Sequence, residues 1–358
     1  MPSSSDFSAQ TVADQTADFL RHALRAGRWQ ESLPSERVLA VELRVSRPTL
    51  RKAMQILERE KWLARSRGHS RQILKQMDSG ASREKSVVLL ARPDDHLKNW
   101  HSMRLVETIR GQLAAEGVRL ELFVSEKLHG AKTSAVLEKL VHQYAPQAWI
   151  LFSQADVVQR WFAERGLRTV VLGSAFPGVS LPFVDIDRRA SCRHAVGVFA
   201  RLGHRRLCYF SRRTGAAGDY LSEQVVEESR SHFEGIDINA LGHDGTAEQI
   251  WKLAHRWKLQ GANRPTALLV SHSDDALTLG VELLRIGIRV PQEVSIISRD
   301  SDPVFERIRP RIASYLFDPS RHARVLCRIL HGETARGQLL IAKFDKGESL
   351  ASPPLEMK

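Results

Sequence analysis

From Val87 to Ile297 the chain repeats one pattern, a short apolar run of strand length followed by a longer segment of helical periodicity. The runs are Val87–Ala91, Leu120–Val124, Trp149–Phe152, Thr169–Leu172, Leu207–Phe210, Ala267–Val270 and Val294–Ile297. Between them lie amphipathic stretches such as Leu105–Glu116, Ser134–Gln143, Cys192–Leu202, Glu248–Lys258 and Asp275–Ile286. Such alternation predicts a parallel, doubly wound α/β arrangement. Ligands of such sheets bind beyond the carboxyl ends of the strands, so a site is expected in the loops that follow the runs.

The first 76 residues follow a different rule. Val12, Ala13, Ala17, Leu20 and Leu24 recur at helical spacing, with Gly27 ending the pattern. A second helix is predicted from Leu33-Pro34-Ser35-Glu36, where Ser35 can cap and Val38, Leu39 and Leu43 form an apolar face. A third opens at Ser46-Arg47-Pro48, since Ser46 is a good N-cap and proline fits only the first turn. Leu50, Ala53, Met54 and Leu57 then fall at i, i+3, i+4 and i+7. This core stripe turns Arg47, Arg51 and Gln55 outward and leaves Thr49 at the exposed N-terminal end. The few residues around Val45 that join these two helices give a helix-turn-helix, whose second helix enters the major groove N-terminus first. Strand, tight turn and strand follow, with Arg67 and His69 at the tip of a β-wing. A purely structural three-helix bundle with a hairpin would use the same residues. Charge favours the DNA reading: residues 1–76 hold 14 Lys/Arg against 8 Asp/Glu, while the remaining 282 hold 39 against 33. Half of the +12 net charge thus sits in about a fifth of the chain, as docking to a polyanion requires.

LPSERVLAVELRVSRPTLRKAMQILEREKWLARSRGHSRQIL resembles the winged helix-turn-helix of the GntR family. The likeness is carried by LPSER, by the VSRPTLR helix start, by the AxxxLExE continuation and by the glycine-bearing wing. It implies DNA contacts from Arg37, Ser46, Arg47, Thr49 and Arg51, with Arg67 and Gly68 at the wing tip. Chemistry divides these roles. Arg47 and Arg51 suit base edges, while Arg37, Ser46 and the wing suit phosphates or the minor groove. The wing departs from the family's Gly-x-Gly-Thr character, reading Gly68-His69-Ser70-Arg71.

Lys75–Lys85 is polar, contains Gly and Ser, and reads as a linker. Beyond it, Phe183-Val184-Asp185-Ile186-Asp187 with the helix and Leu202–Leu207 after it resembles the LacI-type effector-binding domain. So does PTALLVSHSDDALTLGVELLRIGIRVPQEVSIISRDSD (Pro265–Asp302). The resemblance implies two similar lobes of the periplasmic-binding-protein type, crossovers near Asp185–Asp187 and Tyr315–Asp318, and an effector in the cleft between them. Asp187, Asp274, Asp275 and Asp300 match acidic or amide positions of that family. Asp274 and Asp300 are expected to contact the effector, because carboxylates accept strong hydrogen bonds from sugar hydroxyls. Asp275, just before an amphipathic helix, reads more readily as a cap. Arg92, Trp100, Ser153 and His272 follow predicted strands and are further candidates, Trp100 either stacking on a sugar or simply packing. The family's ligand-gripping Arg in the helix after Leu207–Phe210 is missing; Tyr220–Glu228 stands there, with Glu223 near the expected place. Either the ligand departs from a typical family sugar or the pocket has drifted.

The expected organisation is therefore an α/β chain: a winged helix-turn-helix over 1–76, a linker over 77–85, a two-lobed doubly wound effector-binding and dimerisation domain over 86–345, and a tail over 346–358. The expected function is a cytoplasmic, sequence-specific transcription regulator, a repressor. It would act as a homodimer on a pseudo-palindromic duplex, controlled by a sugar or related metabolite. Two alternatives stand beside it: a large domain that only dimerises or binds a protein, and a fused enzyme. The sequence offers the enzyme little, with no HExxH, GxSxG, Walker loop or GxGxxG. About 270 residues after the linker are few for a pyridoxal-phosphate aminotransferase, and no Schiff-base Lys context is present. No cofactor or metal site is expected: Cys192, Cys208 and Cys327 are far apart, without a CxxC, and read as reduced buried thiols. No apolar run has the length of a membrane span, and MPSSSDFSAQ lacks the basic and apolar regions of a secretory signal.

Overall fold

The computed structural model describes residues 12–25, 29, 32–43, 45–65, 71–74, 85–92, 100–125, 128, 133–144, 146–334 and 336–355. The chain divides into two compact units. In the smaller, the three amphipathic patterns become α1 (Val12–Arg25), α2 (Glu36–Glu42) and α3 (Arg47–Arg59). The stripe Leu50, Ala53, Met54 and Leu57 is fully buried and packs with Leu20, Leu24, Leu33 and Leu39 into one core. Strands β1 (Leu63–Arg65) and β2 (Arg71–Ile73) pair antiparallel, with Leu63 opposite Ile73. The expected wing tip, including Arg67 and Gly68, and the linker through Glu84 lie outside the described residues.

The larger unit holds two six-stranded sheets. The N-lobe sheet contains β3 (Ser86–Ala91), β4 (Arg119–Val124), β5 (Ala148–Phe152), β6 (Thr169–Leu172), β7 (Phe183–Ile186) and β13 (Gln338–Leu340), ordered β13-β7-β6-β5-β3-β4 and parallel throughout. The helices of this half of the fold are α4 (Trp100–Ala115), the first half of α5 (Thr133–Tyr144), α6 (Asp156–Glu164) and α11 (Pro319–Leu330). The C-lobe sheet contains β8 (Arg206–Arg212), β9 (Asp237–His243), β10 (Ala267–Val270), β11 (Ser295–Ser298), β12 (Ala313–Leu316) and β14 (Lys343–Asp345), ordered β14-β12-β11-β10-β8-β9. Only β14 runs antiparallel to its neighbour. Helices α7 (Arg188–Leu202), α8 (Ala217–His232), α9 (Ala247–Gln260) and α10 (Ser273–Arg285) belong to this lobe.

The chain crosses between lobes where expected, from β7 to α7 and from β12 to α11. A third crossing, from β13 to β14, was not anticipated because both strands are three residues long and lie at sheet edges. Helix α7 starts on Asp187, whose carboxylate accepts from the Ala190 N–H at 2.8 Å. It ends on Gly203, whose φ of 91° turns the chain into β8. The segment expected to trail free after 345 instead packs on the C-lobe. Ser349 is fully buried, its carbonyl accepts from the Ile296 N–H at 3.0 Å, and Ala351 accepts from His204 at 2.9 Å. No helix among the described residues is long and apolar enough to cross a membrane.

Candidate nucleic-acid interface and effector cleft

The reading face of the small unit is set at the start of α3. Ser46 caps the helix: its Oγ accepts from the Thr49 N–H at 3.2 Å and shares a hydrogen bond with Thr49 Oγ1 at 2.7 Å. Arg47, Arg51 and Gln55 are exposed opposite the buried stripe, and Arg37 is exposed on α2. Ser46 and Thr49 are partly occupied by the cap itself. Arg51 does not extend alone into solvent; its Nε donates to Glu36 at 2.7 Å.

In the large unit, a cavity with about 790 Å³ of empty space, part of it open to solvent, lies between the lobes at the carboxyl ends of the parallel strands. Its walls combine Leu105, Phe152, Leu172 and Phe317 with a set of ionisable groups. Asp185 is the penultimate residue of β7; its Oδ2 accepts from Ser174 Oγ at 2.5 Å and from Arg188 Nε at 3.3 Å. The Asp185 contact spans the two lobes, and within the C-lobe Arg188, the first residue of α7, also reaches Asp300 after β11, at 3.4 Å. Helix α8 begins with small residues because Arg188 lies against it: a Cβ on Gly218 would stand 2.9 Å from Arg188 Nε. Arg299, at the end of β11, donates to Asp219 at 2.8 Å, to Ser222 Oγ at 3.0 Å and to the Tyr209 hydroxyl at 3.3 Å.

Electrostatics keep Asp219, Asp300 and the two arginines charged and the neighbouring histidines neutral. Burial alone would raise the Asp219 carboxyl, but facing Arg299 it lies well below the usual carboxylate range. Asp300 is held below that range in the same way, burial being outweighed by Arg299 and Arg188. Burial pushes His101 and His272 down, and His322 down to about 4. Two guanidiniums against three carboxylates give this cluster a formal charge of −1, each cation lying against a carboxylate.

Of the expected effector residues, the structure brings Asp300, Ser153 and His272 to the cavity wall. The others are elsewhere. Asp187 is used as the α7 cap, while Asp185, two residues earlier, faces the cavity. Asp274 is half exposed and pairs with Arg212 at 2.7 Å, outside the lining. Asp275 is not a cap: it is buried, takes Arg212 Nη2 at 2.6 Å and Nε at 3.1 Å, and lies 3.2 Å from His243 Nε2. Trp100 stands largely exposed at the start of α4, its ring 5.6 Å from that of His101. Arg92 is buried at the end of β3, its Nη1 3.7 Å from where a Cβ on Gly215 would lie, and does not line the cavity. Sequence reasoning missed Arg188, Arg299, Asp185 and Asp219. Asp185 and Arg188 had position at a crossover as their signal and Arg299 sits beside the Asp300 already singled out, while Asp219, in the first turn of α8, had none.

Residues 12–73 match the profile of bacterial regulatory proteins of the gntR family, and residues 196–339 match that of a periplasmic binding protein-like domain. The chain thus joins a gntR-family regulatory module to a periplasmic binding protein-like domain. It is 23% identical over 283 residues to an arabinose metabolism transcriptional repressor of Geobacillus stearothermophilus, covering 75% of this chain and 76% of that one. Its fold is that of a LacI family transcriptional regulator from Bifidobacterium animalis subsp. lactis (TM-score 0.64, 18% identity, 76% of this chain and all of that one). A regulator from Yersinia pestis biovar Microtus superposes similarly (TM-score 0.66, 18% identity, 76% and 100%). The chain is thus a two-part transcription regulator, a DNA-binding module joined to an effector-binding domain.

Proposed function

We propose that this regulator is a cytoplasmic homodimeric repressor. It reads a pseudo-palindromic operator with Arg47, Arg51 and Thr49, positions itself with Arg37, Ser46 and the Arg67–Gly68 wing tip, and releases it in response to a sugar held in the interlobe cleft. The observation that carries the sensor half is the cavity itself. Paired carboxylates and guanidiniums line it beside Phe152 and Phe317, the combination that takes sugar hydroxyls in the plane of the ring and its C–H faces on apolar walls. A formal charge of −1 favours an unphosphorylated sugar, and the arabinose-linked relative makes pentoses the first to try. Arg299 supplies a guanidinium that α8 lacks. In this reading Asp300, His272 and Ser153 touch the ligand together with Arg188 and Asp185.

Dimerisation is supported by α10. Leu277, Val281 and Leu284 form a stripe at helical spacing in which Val281 and Leu284 are exposed, and Gly280 beside them has open space around it. A second copy approaching there would bury them. Effector binding that favours one lobe arrangement then shifts the disposition of the two readers by linkage. The test is thermal unfolding of the full chain against neutral pentoses and hexoses, their phosphates and sugar acids, with operator binding measured in parallel. A ligand at about 100 times its Kd stabilises the sensor by about 2.7 kcal/mol and weakens operator binding. A panel that moves neither quantity overturns the sugar reading.

A further inference from the structure

Four charged side chains connect the interior of the small unit to its reading face. Glu58 on α3 takes Arg71 Nε at 2.5 Å, Arg71 Nη1 donates to Glu36 Oε1 at 2.8 Å, and Glu36 Oε2 accepts from Arg51 Nε at 2.7 Å. Side-chain exposure stays low at Glu58 (19%), Arg71 (12%) and Glu36 (18%) and reaches 56% only at Arg51. The carboxylate of Glu36 is therefore anchored from behind and presents one fixed oxygen to the recognition helix. Among the described residues nothing accepts from Nη1 or Nη2 of Arg51, and Arg47 makes no ion pair.

We propose that Glu36 is a positioning residue for DNA reading, which locks the Arg51 guanidinium by its Nε so that Nη1 and Nη2 are left as a fork for the two acceptors of a guanine edge. Guanine is the base that presents two acceptors, O6 and N7, side by side in the major groove, and the planar guanidinium matches them bidentately. A side chain already held in one geometry loses less rotamer freedom on docking than a free one. Geometry also becomes selective, because a locked fork cannot swing to suit another base. Arg47, with no such partner, must be ordered by the DNA itself.

The inference rests on α3 being the base-reading helix, and the two can fail separately. The full chain is used to select its preferred duplex from a randomised pool. Affinities for that duplex, for its single-guanine variants and for an unrelated duplex are then measured for wild type, Glu36→Gln, Glu36→Asp, Arg51→Ala and the double variant Glu36→Gln/Arg51→Ala. Removing a negative charge near DNA should leave binding to the unrelated duplex unchanged or stronger. Lost positioning should weaken binding to the selected duplex about tenfold in Glu36→Gln and less in Glu36→Asp, which keeps the charge. Opposite movements of the two affinities are not produced by simple loss of stability, which lowers both. In the Arg51→Ala background Glu36→Gln should have no further effect on discrimination at the guanine. Undiminished discrimination in Glu36→Gln overturns the proposal, as does an equal loss with and without Arg51. Undiminished discrimination in Arg51→Ala overturns the reading of α3 itself.

Discussion

Arg188 is the side chain through which the two lobes meet at the floor of the cleft, and replacing it by Met removes the charge while keeping much of the length. In the native protein its Nε lies 3.3 Å from Asp185 of the N-lobe sheet and its Nη1 3.4 Å from Asp300 of the C-lobe. Breaking a sealed ion pair costs about 3–5 kcal/mol, because an unpaired charge is left in a low dielectric. Three observations reduce that figure here. Arg188 and Asp300 retain about a fifth of their side-chain exposure (21% and 20%), both contacts are long, and Asp185 keeps hydrogen bonds from Ser174 Oγ and the Ile186 N–H. The expected loss is therefore about 1–3 kcal/mol in the larger unit at neutral pH. The pH dependence has a definite sign. Asp300 titrates below its ordinary value in the fold, so it contributes stability above pH ~4 that disappears as pH falls further, through its folded value. The deficit of Arg188→Met should thus be constant from neutrality down to pH ~4 and shrink below it. Urea unfolding followed by fluorescence reports on both units, since Trp149, Trp161 and Trp257 are buried in the larger and Trp29 and Trp62 pack against the core of the smaller. The deficit is read from the transition that Arg188→Met shifts. A variant within about 0.3 kcal/mol of wild type at pH 7 would show that the bridge contributes no net stability, and a deficit that grows in acid would refute the charge argument.

Three further outcomes are expected. Arg47→Ala and Arg51→Ala should each cost about 1–3 kcal/mol of operator binding and relax sequence choice, in a gel-shift titration at fixed salt. Asp300→Ala should leave operator affinity intact and abolish the effector response; an unchanged response removes Asp300 from the ligand's contacts. His322 is buried, with burial pushing it down to about 4 from an ordinary value near 6.5. The fold therefore excludes a proton that the unfolded chain takes up, and the larger unit should lose roughly 3 kcal/mol as pH falls from about 6.5 to 4. Acid unfolding of His322→Gln should be flatter over that interval.

The likeness of sequence expectation and structure differs by element. Helix α3 was legible in full, since a four-residue stripe, a capping serine and a proline at the first turn fix both its start and its rotation. The seven apolar runs all became strands. Strand β9 was not legible, because DINALGH lies at a sheet edge and alternates polar with apolar residues rather than forming a run. Helix α8 was expected from the resemblance around Tyr220–Glu228, but its start at Ala217-Gly218-Asp219 was not legible. There a Cβ on Gly218 would stand 2.9 Å from Arg188 Nε, a neighbour from another segment.

In the cleft the acidic residues were visible but their roles were not. Asp185 and Asp187 look alike in sequence. The strand ends at Ile186, so period-two alternation stops there, and the chain's turn into α7 makes one aspartate a cavity wall and the other a cap. Asp275 became the buried partner of Arg212 and His243, residues brought to it by the pairing of β8 with β9 and β10. What the sequence alone determined is the elements with a strong local pattern, the seven apolar strands and the rotation of α3, because periodicity and caps are local. Which charges face one another was decided only by the tertiary structure: Arg188 meets Asp300, 112 residues away, and Arg299 meets Asp219, 80 residues away. Coulombic and hydrogen-bond partners depend on distance in space, and no local pattern encodes it.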